Sequence, residues 1–590
     1  MCSKIAMEHL KIETTCISSG LFVYIYKNHN SKHEYSRTKT TKCMKKLICF
    51  FFFISCLQLF AQESNNFTRQ DTLRGAIHMD RLWWDVQKYD LRITVDIRQR
   101  KIQGSNTILY KVVDSSQRLQ IDLQDPMKIT KASQNNQNLS FVKDGDAYFI
   151  TLVAQQEINS LQSITVAFEG IPPATNAAPW ETGFTWEKDS NGVDFVATSC
   201  QGEGASIWWP CKEHLYDEPD RGMNLYYTVP SHLVAVGNGR LIATEKDSIQ
   251  DTKTFHWKVR NPINNYGVQL SIGDYVSYQK NHKGEAGVLD CDYYVLRENF
   301  PKAKNHFKEV ARTLQAFEFW FGPYPFYEDS YKIVEVPYLG MEHQSAIGYG
   351  NNYKNGYRGT DLSDTGWGLK FDFIIVHESG HEWFGNNISN KDIADMWIHE
   401  SFTNYSEVLF LDYYFGKEAG QQYCIGLRKN IKNDIPIIGS YGVNNKGSDD
   451  MYFKGANMLH TIRTCIGNDA TWRLLLRGLN RSFYHQTVNT KDIEDYINDF
   501  TKMDFSAVFD QYLRTTDIPV LEYKIKRKCL KYRWTNCIEE FDMPVIVQIN
   551  NKRIELTPTK AWNEVVVKKS IKKFSIDTNY YIESKNLSKH

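Results

Sequence analysis

The stretch Val376-His377-Glu378-Ser379-Gly380-His381-Glu382-Trp383-Phe384-Gly385 decides how the rest of this 590-residue chain is read. Two histidines four apart project from one face of a helix, about one turn from each other. Neutral imidazoles so placed can hold one zinc ion at two corners of a tetrahedron. Glu378 lies beside them and can reach a water on the metal without ligating it. A third ligand is then needed, with the fourth corner left to water. Glu400 qualifies, because the 18 residues between it and His381 allow a helix, a turn and a return helix to the same metal. With 16 His in the chain, the full His-Glu-x-x-His pattern arises by accident in roughly 2–3% of such sequences. A Glu at one fixed later position lowers that to roughly one in a thousand.

Outward from this segment the hydrophobic period changes twice. From 83 to 278 the chain runs in short, largely alternating stretches such as Tyr89-Asp90-Leu91-Arg92-Ile93-Thr94-Val95, separated by turns rich in Asn, Gly, Asp and Ser. This pattern predicts a β sandwich or saddle. From 303 to 321 apolar residues fall at helical spacing, and Gly322-Pro323 stops the run. Helical signals continue over 370–412 and 454–500. Strands return at Ile518-Pro519 and include Pro544-Val545-Ile546-Val547-Gln548-Ile549. The expected architecture is multidomain α+β: an N-terminal β-domain at 62–295, a mostly helical domain at 296–517 and a small C-terminal β-domain at 518–590. A chain of this length exceeds one hydrophobic core, in keeping with several domains.

Composition narrows the function classes. Seventy Lys+Arg against 69 Asp+Glu argue against a dedicated nucleic-acid binder. The last 70 residues carry an excess of seven positive charges, read as solvated strand faces in preference to a docking surface. No stretch reaches the roughly 20 apolar residues that cross a bilayer. Met44-Lys45-Lys46, the 14-residue apolar run from Leu47 to Phe60, and Ala61-Gln62 together describe a bacterial export signal cut near Ala61. Met44 is then the expected initiator and 1–43 an upstream extension; a buried apolar segment is the alternative. A lipid anchor at Phe53-Ile54-Ser55-Cys56 fits less well, because Phe stands where an aliphatic residue is needed. Of twelve Cys, seven follow Ala61, which is no disulfide framework. Cys529 and Cys537 are the one pair read as able to bridge a hairpin.

The motif residues together resemble the gluzincin aminopeptidases of the M1 family, which includes aminopeptidase N and leukotriene A4 hydrolase. His377-Glu378-x-x-His381 with Glu400 matches the family's metal pattern. Trp397-Ile398-His399-Glu400-Ser401-Phe402-Thr403 resembles its WLNEGFA segment, with His399 in place of Asn and Ser401 in place of Gly. Leu339-Gly340-Met341-Glu342-His343 resembles GAMEN, lacking its first Gly and with His343 in place of the final Asn. Tyr452-Phe453-Lys454-Gly455-Ala456 resembles its Y-x-KGA stretch, and Gln201, Pro210-Cys211 and Asn238-Gly239 match landmarks of its N-terminal domain.

The resemblance implies a saddle-like β-domain, a thermolysin-like catalytic domain with one Zn2+ on His377, His381 and Glu400, and a small β-domain. It also implies a cleft more open than in relatives with a large helical fourth domain. Glu378 would be the proton acceptor and Tyr452 the donor to the developing oxyanion. Glu342, helped by Gln201, would bind the free amino terminus of a peptide, with the peptide lying along an edge strand at Gly340-Met341. Glu407 would orient a metal-bound histidine. His343 would alter the detailed geometry of amine binding. The implied activity is removal of the N-terminal residue from peptides. Endopeptidase action, epoxide hydrolysis on the same site, and a non-catalytic peptide-binding relic remain as alternatives. The sequence carries no signal of oligomeric state.

Overall fold

A computed structural model describes residues 12–17, 20–25 and 67–588. It falls into two compact units, Met1–Asn66 and Phe67–His590. In the first, Ile12–Ile17 and Gly20–Ile25 form an antiparallel hairpin. The export segment expected at 44–61 lies outside the described residues.

The second unit begins with β structure. Trp84–Asp96, Lys101–Val112 and Leu161–Gly170 form the antiparallel centre of a ten-stranded sheet. Along Trp84–Asp96 the side chains of Leu91, Ile93 and Val95 are buried while Arg92, Thr94 and Asp96 are exposed, the period-two pattern of a half-buried strand. A four-stranded sheet containing Asp194–Ser199 packs into the same core, which holds Trp83, Trp84, Trp208, Trp209 and Trp257.

A five-stranded mixed sheet follows, and Gly340–Met341 is its edge strand, paired antiparallel to Ile347–Tyr349. Met341 and Tyr338 belong to the N-terminal β core, whereas Leu339 belongs to the core under the helices. The segment that carries Glu342 is therefore clamped between the two cores.

The helix expected over 303–321 is two helices, Phe300–His306 and Glu309–Phe321. The break falls at Phe307, whose ring is buried against Tyr293 and Tyr349. The helical signal over 370–412 is likewise interrupted. Helix α1 (Phe373–Gly380) and helix α2 (Trp397–Phe415) are separated by turns and the strand Ile388–Asn390. Gly385, five residues past the end of α1, has φ 134°, a conformation closed to other residues, and turns the chain toward the strand Ile388–Asn390. Ile388–Asn390 pairs in parallel with Gln486–Val488, which also divides the expected 454–500 helix. Helix α3 (Phe453–Ile466) packs on α2.

The chain ends in a four-stranded and a three-stranded sheet around Trp534, Leu521 and Val547. The bridge between Cys529 and Cys537 does not form, and both are free thiols. Cys529 opens the strand Cys529–Thr535 and Cys537 lies beyond its other end. The strand from Cys529 to Thr535 alone reaches about 20 Å, against the roughly 7 Å a disulfide spans between Cα atoms. Among the described residues no helix is long and apolar enough to cross a membrane.

Candidate active site

Asp372 caps α1 by accepting from the Ile375 backbone N–H at 3.1 Å, and His381, just past the helix, keeps helical dihedrals. The two imidazoles consequently face the same way, with ring centres 5.0 Å apart. Glu400, in the first turn of α2, points between them. Its Oε2 lies 3.7 Å from His377 Nε2 and 3.5 Å from His381 Nε2. Bonds of 2.0–2.1 Å to a tetrahedral zinc put ligand atoms about 3.4 Å apart, so the three atoms fit three corners of such a site. Glu400 Oε2 is also buried with no hydrogen-bond partner. A buried carboxylate oxygen is not left unpaired without cost, and a cation at this point satisfies it.

The outer edges of the ligands are held. His377 Nδ1 donates to Glu407 Oε1 at 2.8 Å, and Glu407 also accepts from Asn404 Nδ2 (2.9 Å) and the Tyr423 hydroxyl (2.6 Å). His381 Nδ1 donates to the Phe384 carbonyl at 3.1 Å, with Thr403 Oγ1 beside it. With both Nδ1 atoms serving as donors, both Nε2 lone pairs are free to bind a metal. The sequence had pointed to Glu407. Asn404, Tyr423, Thr403 and the Phe384 carbonyl were missed, and no local pattern distinguishes them.

Glu378 and Glu342 reach the same space. Their carboxylates and His381 offer oxygen and nitrogen atoms within 4.8 Å of one another. Burial pushes the Glu378 carboxyl up to about 7 and raises that of Glu342 as well. Gly340 lies against this pair: a Cβ there would meet Ile374 Cγ2 at 2.7 Å and Glu378 Oε1 at 2.9 Å, so only glycine lets the edge strand pass this close. Glu342 Oε1 accepts from Gln201 Nε2 at 2.7 Å, and the same amide donates to Glu400 Oε1 at 2.9 Å. One side chain from the N-terminal β region thus touches both carboxylates.

Tyr452 caps α3, half-buried, its ring 6.2 Å from that of His377. Burial holds its phenol well above the ordinary range, so it stays protonated and able to donate. His343 is fully buried, is absent from the cleft lining, and has neither ring nitrogen hydrogen-bonded; burial lowers its pKa to about 3. It touches the site only through the backbone it shares with Glu342. The cleft over these groups has a volume of about 700 Å³ and is walled on one side by Trp180, Tyr357 and Phe373, the last stacked on His377.

Fold and site together define a helix-borne two-histidine, one-glutamate metal centre at the seam between a β region and a helical region. Residues 86–266 match the model of the peptidase M1 N-terminal domain, and residues 306–512 match that of the peptidase family M1 domain. This chain belongs to peptidase family M1. It is 23% identical to aminopeptidase N of Lactobacillus helveticus over 463 residues, 74% of this chain and 51% of that protein. It is 21% identical to leukotriene A-4 hydrolase of Xenopus laevis over 71% of this chain and 69% of that one. Against several of these curated relatives, including aminopeptidase N, it spans about half of their length or less. The fold is shared with an M1 zinc metallopeptidase from Deinococcus radiodurans (TM-score 0.61, 19% identity, 74% of this chain and 96% of that one).

Proposed function

We propose that this chain is a zinc-dependent aminopeptidase that removes the N-terminal residue of peptides. The observation that carries the reading is Glu342. It is 3% exposed, directly follows the edge strand Gly340–Met341, and accepts a hydrogen bond from the neutral Gln201 amide, with no ion pair to Lys or Arg among the described residues. A buried carboxylate without a cationic partner calls for one from the ligand, and the α-ammonium group of a peptide supplies it.

In this reading His377, His381 and Glu400 hold one zinc ion, and Glu407 orients His377. When bound, zinc supplies Lewis-acid polarisation of the scissile carbonyl and lowers the pKa of the attacking water. Glu378 accepts the proton of that water on its carboxylate and returns it to the nitrogen of the leaving amine. The Tyr452 hydroxyl donates to the carbonyl oxygen as negative charge grows there, an interaction stronger in the transition state than with substrate. The substrate backbone lies along Gly340–Met341 as an added strand, and Glu342 with Gln201 fixes where the chain must begin. In domain terms, 62–295 supplies Gln201, 296–517 supplies the remaining groups, and 518–590 packs below them. The segment from Met44 to Ala61 is an export address, which makes peptides outside the cytoplasm the substrates. A mature exported protein beginning at Gln62 on N-terminal sequencing is the expected result, and retention of 1–43 in that protein would overturn it.

The deciding experiment compares aminoacyl-anilides with their N-acetylated counterparts, with and without chelator. Cleavage of the free-amine compounds alone, abolished by chelator, is expected; equal cleavage of both would make the chain an endopeptidase. Within the same assay, Glu342→Ala is expected to lower kcat/KM by about two to three decades with zinc retained, because the substrate's charge is left unpaired in a dry pocket. Gln201→Ala removes only a neutral donor, a loss of about 1–2 kcal/mol. Tyr452→Phe is expected to lower kcat about 10²- to 10³-fold with KM little changed. An unaltered kcat would remove Tyr452 from the reaction.

A further inference from the structure

The turn that carries Gln201 gets little hold from its own backbone. Gln201-Gly202-Glu203-Gly204 follows the strand Asp194–Ser199, and within it the Gly204 N–H donates to the Cys200 carbonyl at 2.8 Å. Gly202 and Gly204 have φ 89° and 82°, and glycine loses more conformational freedom on ordering than any other residue. The Gln201 amide nevertheless has to meet Glu342 at 2.7 Å and Glu400 at 2.9 Å together.

An element outside the cleft supplies the hold. The short helix Arg69–Gly75, begun by a Thr68 cap, opens the second unit. From its last turn Arg74 donates through Nη2 to the Glu203 carbonyl at 2.7 Å and through Nη1 to the Glu203 carboxylate at 2.8 Å. A guanidinium making both contacts fixes backbone and side chain together. Gln124 Nε2 donates to the same carbonyl at 2.6 Å. The next residue, Gly75, lies against the helical region. A Cβ there would come within 2.2 Å of the Val443 carbonyl carbon, an approach open to glycine alone. The loop of Val443 is fastened to the residues that lead into α2: the Gly442 N–H donates to Asp392 Oδ2 at 2.8 Å, and the Gly439 N–H to the Ala394 carbonyl at 3.2 Å. Adjacent residues of one helix thus touch the Gln201 turn and a loop tied just ahead of Glu400. Arg74 does not line the cleft, so it reaches substrate only through that turn.

We propose that Arg74 is a positioning residue for amine recognition. It holds the turn where the Gln201 amide meets Glu342, and so steadies the carboxylate that receives the substrate's ammonium group. This rests on the reading of Glu342 as the amine anchor.

The test uses the zinc-loaded enzyme and two competitive inhibitors, an amino-acid hydroxamate and its des-amino counterpart, which differ only in the amine. Wild type is expected to bind the amine compound about a hundred-fold more tightly or better. Gln201→Ala lowers that ratio about ten-fold. Arg74→Ala lowers it about three- to ten-fold, through the amine compound alone, while the des-amino compound and the zinc content keep their wild-type values. Added to Gln201→Ala, Arg74→Ala lowers the ratio no further, because the turn then has no amide to position. A wild-type ratio near one overturns the amine anchor itself, and the proposal with it. Three results overturn the proposal alone: a large wild-type ratio that Arg74→Ala leaves unchanged, a loss that falls equally on both inhibitors, or a second fall in the Gln201→Ala background. If Arg74→Ala does not fold, Arg74→Met, which keeps the apolar stem and removes only the donors, takes its place with the same outcomes.

Discussion

Glu378→Gln keeps its zinc and loses turnover, with kcat down by at least about 10³-fold. The substitution changes one oxygen to NH2 and nothing in shape. Glu378 is 7% exposed and is not one of His377, His381 and Glu400, although with Glu342 and His381 it forms a second cluster close enough to share an ion. An amide cannot accept a proton from water, and positioned general bases contribute about 10²- to 10⁴-fold; here the same group must also return the proton to the leaving amine, which places the expected loss toward the upper end. Elemental analysis and single-turnover kinetics on the purified variant check both halves. The alternative has a named candidate, because the Glu342 carboxylate lies in the same cluster. A variant that retains a tenth of wild-type kcat would pass the proton-accepting role to Glu342.

His381→Ala loses the metal, and activity with it. His381 is 1% exposed, and its Nε2 is 3.5 Å from the Oε2 atom of Glu400. Removing it leaves two ligands and a small void at a position that needs three protein donors to hold the ion. Zinc content after dialysis is expected below about a tenth per chain. Glu407→Gln is milder: it leaves all three ligands and weakens only the hold on His377, a change of about 10- to 100-fold in metal affinity. Full zinc in the His381→Ala protein would refute the ligand assignment.

The metal ligands were legible because they are local. His377, His381 and Glu400 lie within one helix, a connection and the next helix, so spacing alone constrains where they meet. The β–α–β order was legible for a related reason, since period two and period 3.6 are written residue by residue, as in Leu91, Ile93 and Val95. What period cannot show is where a helix pauses. The turn between His381 and Glu400 was expected, but not the strand Ile388–Asn390 within it, nor its partner Gln486–Val488 inside the helical signal over 454–500, because their pairing joins distant segments. Cys529 and Cys537 misled because the strand Cys529–Thr535 runs between them and carries them apart. The groups that orient the metal ligands left little trace: Phe384 contributes a carbonyl that any residue could contribute, and Tyr423 reaches Glu407 from a different helix. Tyr266 meets His399 across 133 residues, with nothing in either neighbourhood to announce the other.

The shared amide of Gln201 has a consequence for the order in which the protein acquires its properties as it folds. Gln201 is 141 residues from Glu342 and 199 from Glu400, whereas the three zinc ligands close far shorter loops. Short loops close early and long ones late. A full-length chain folding from the unfolded state can therefore assemble its metal ligands when the helical region alone has collapsed, before the N-terminal β region has docked. The ability to read a peptide's free end would be gained last, by the docking step that brings Gln201 in.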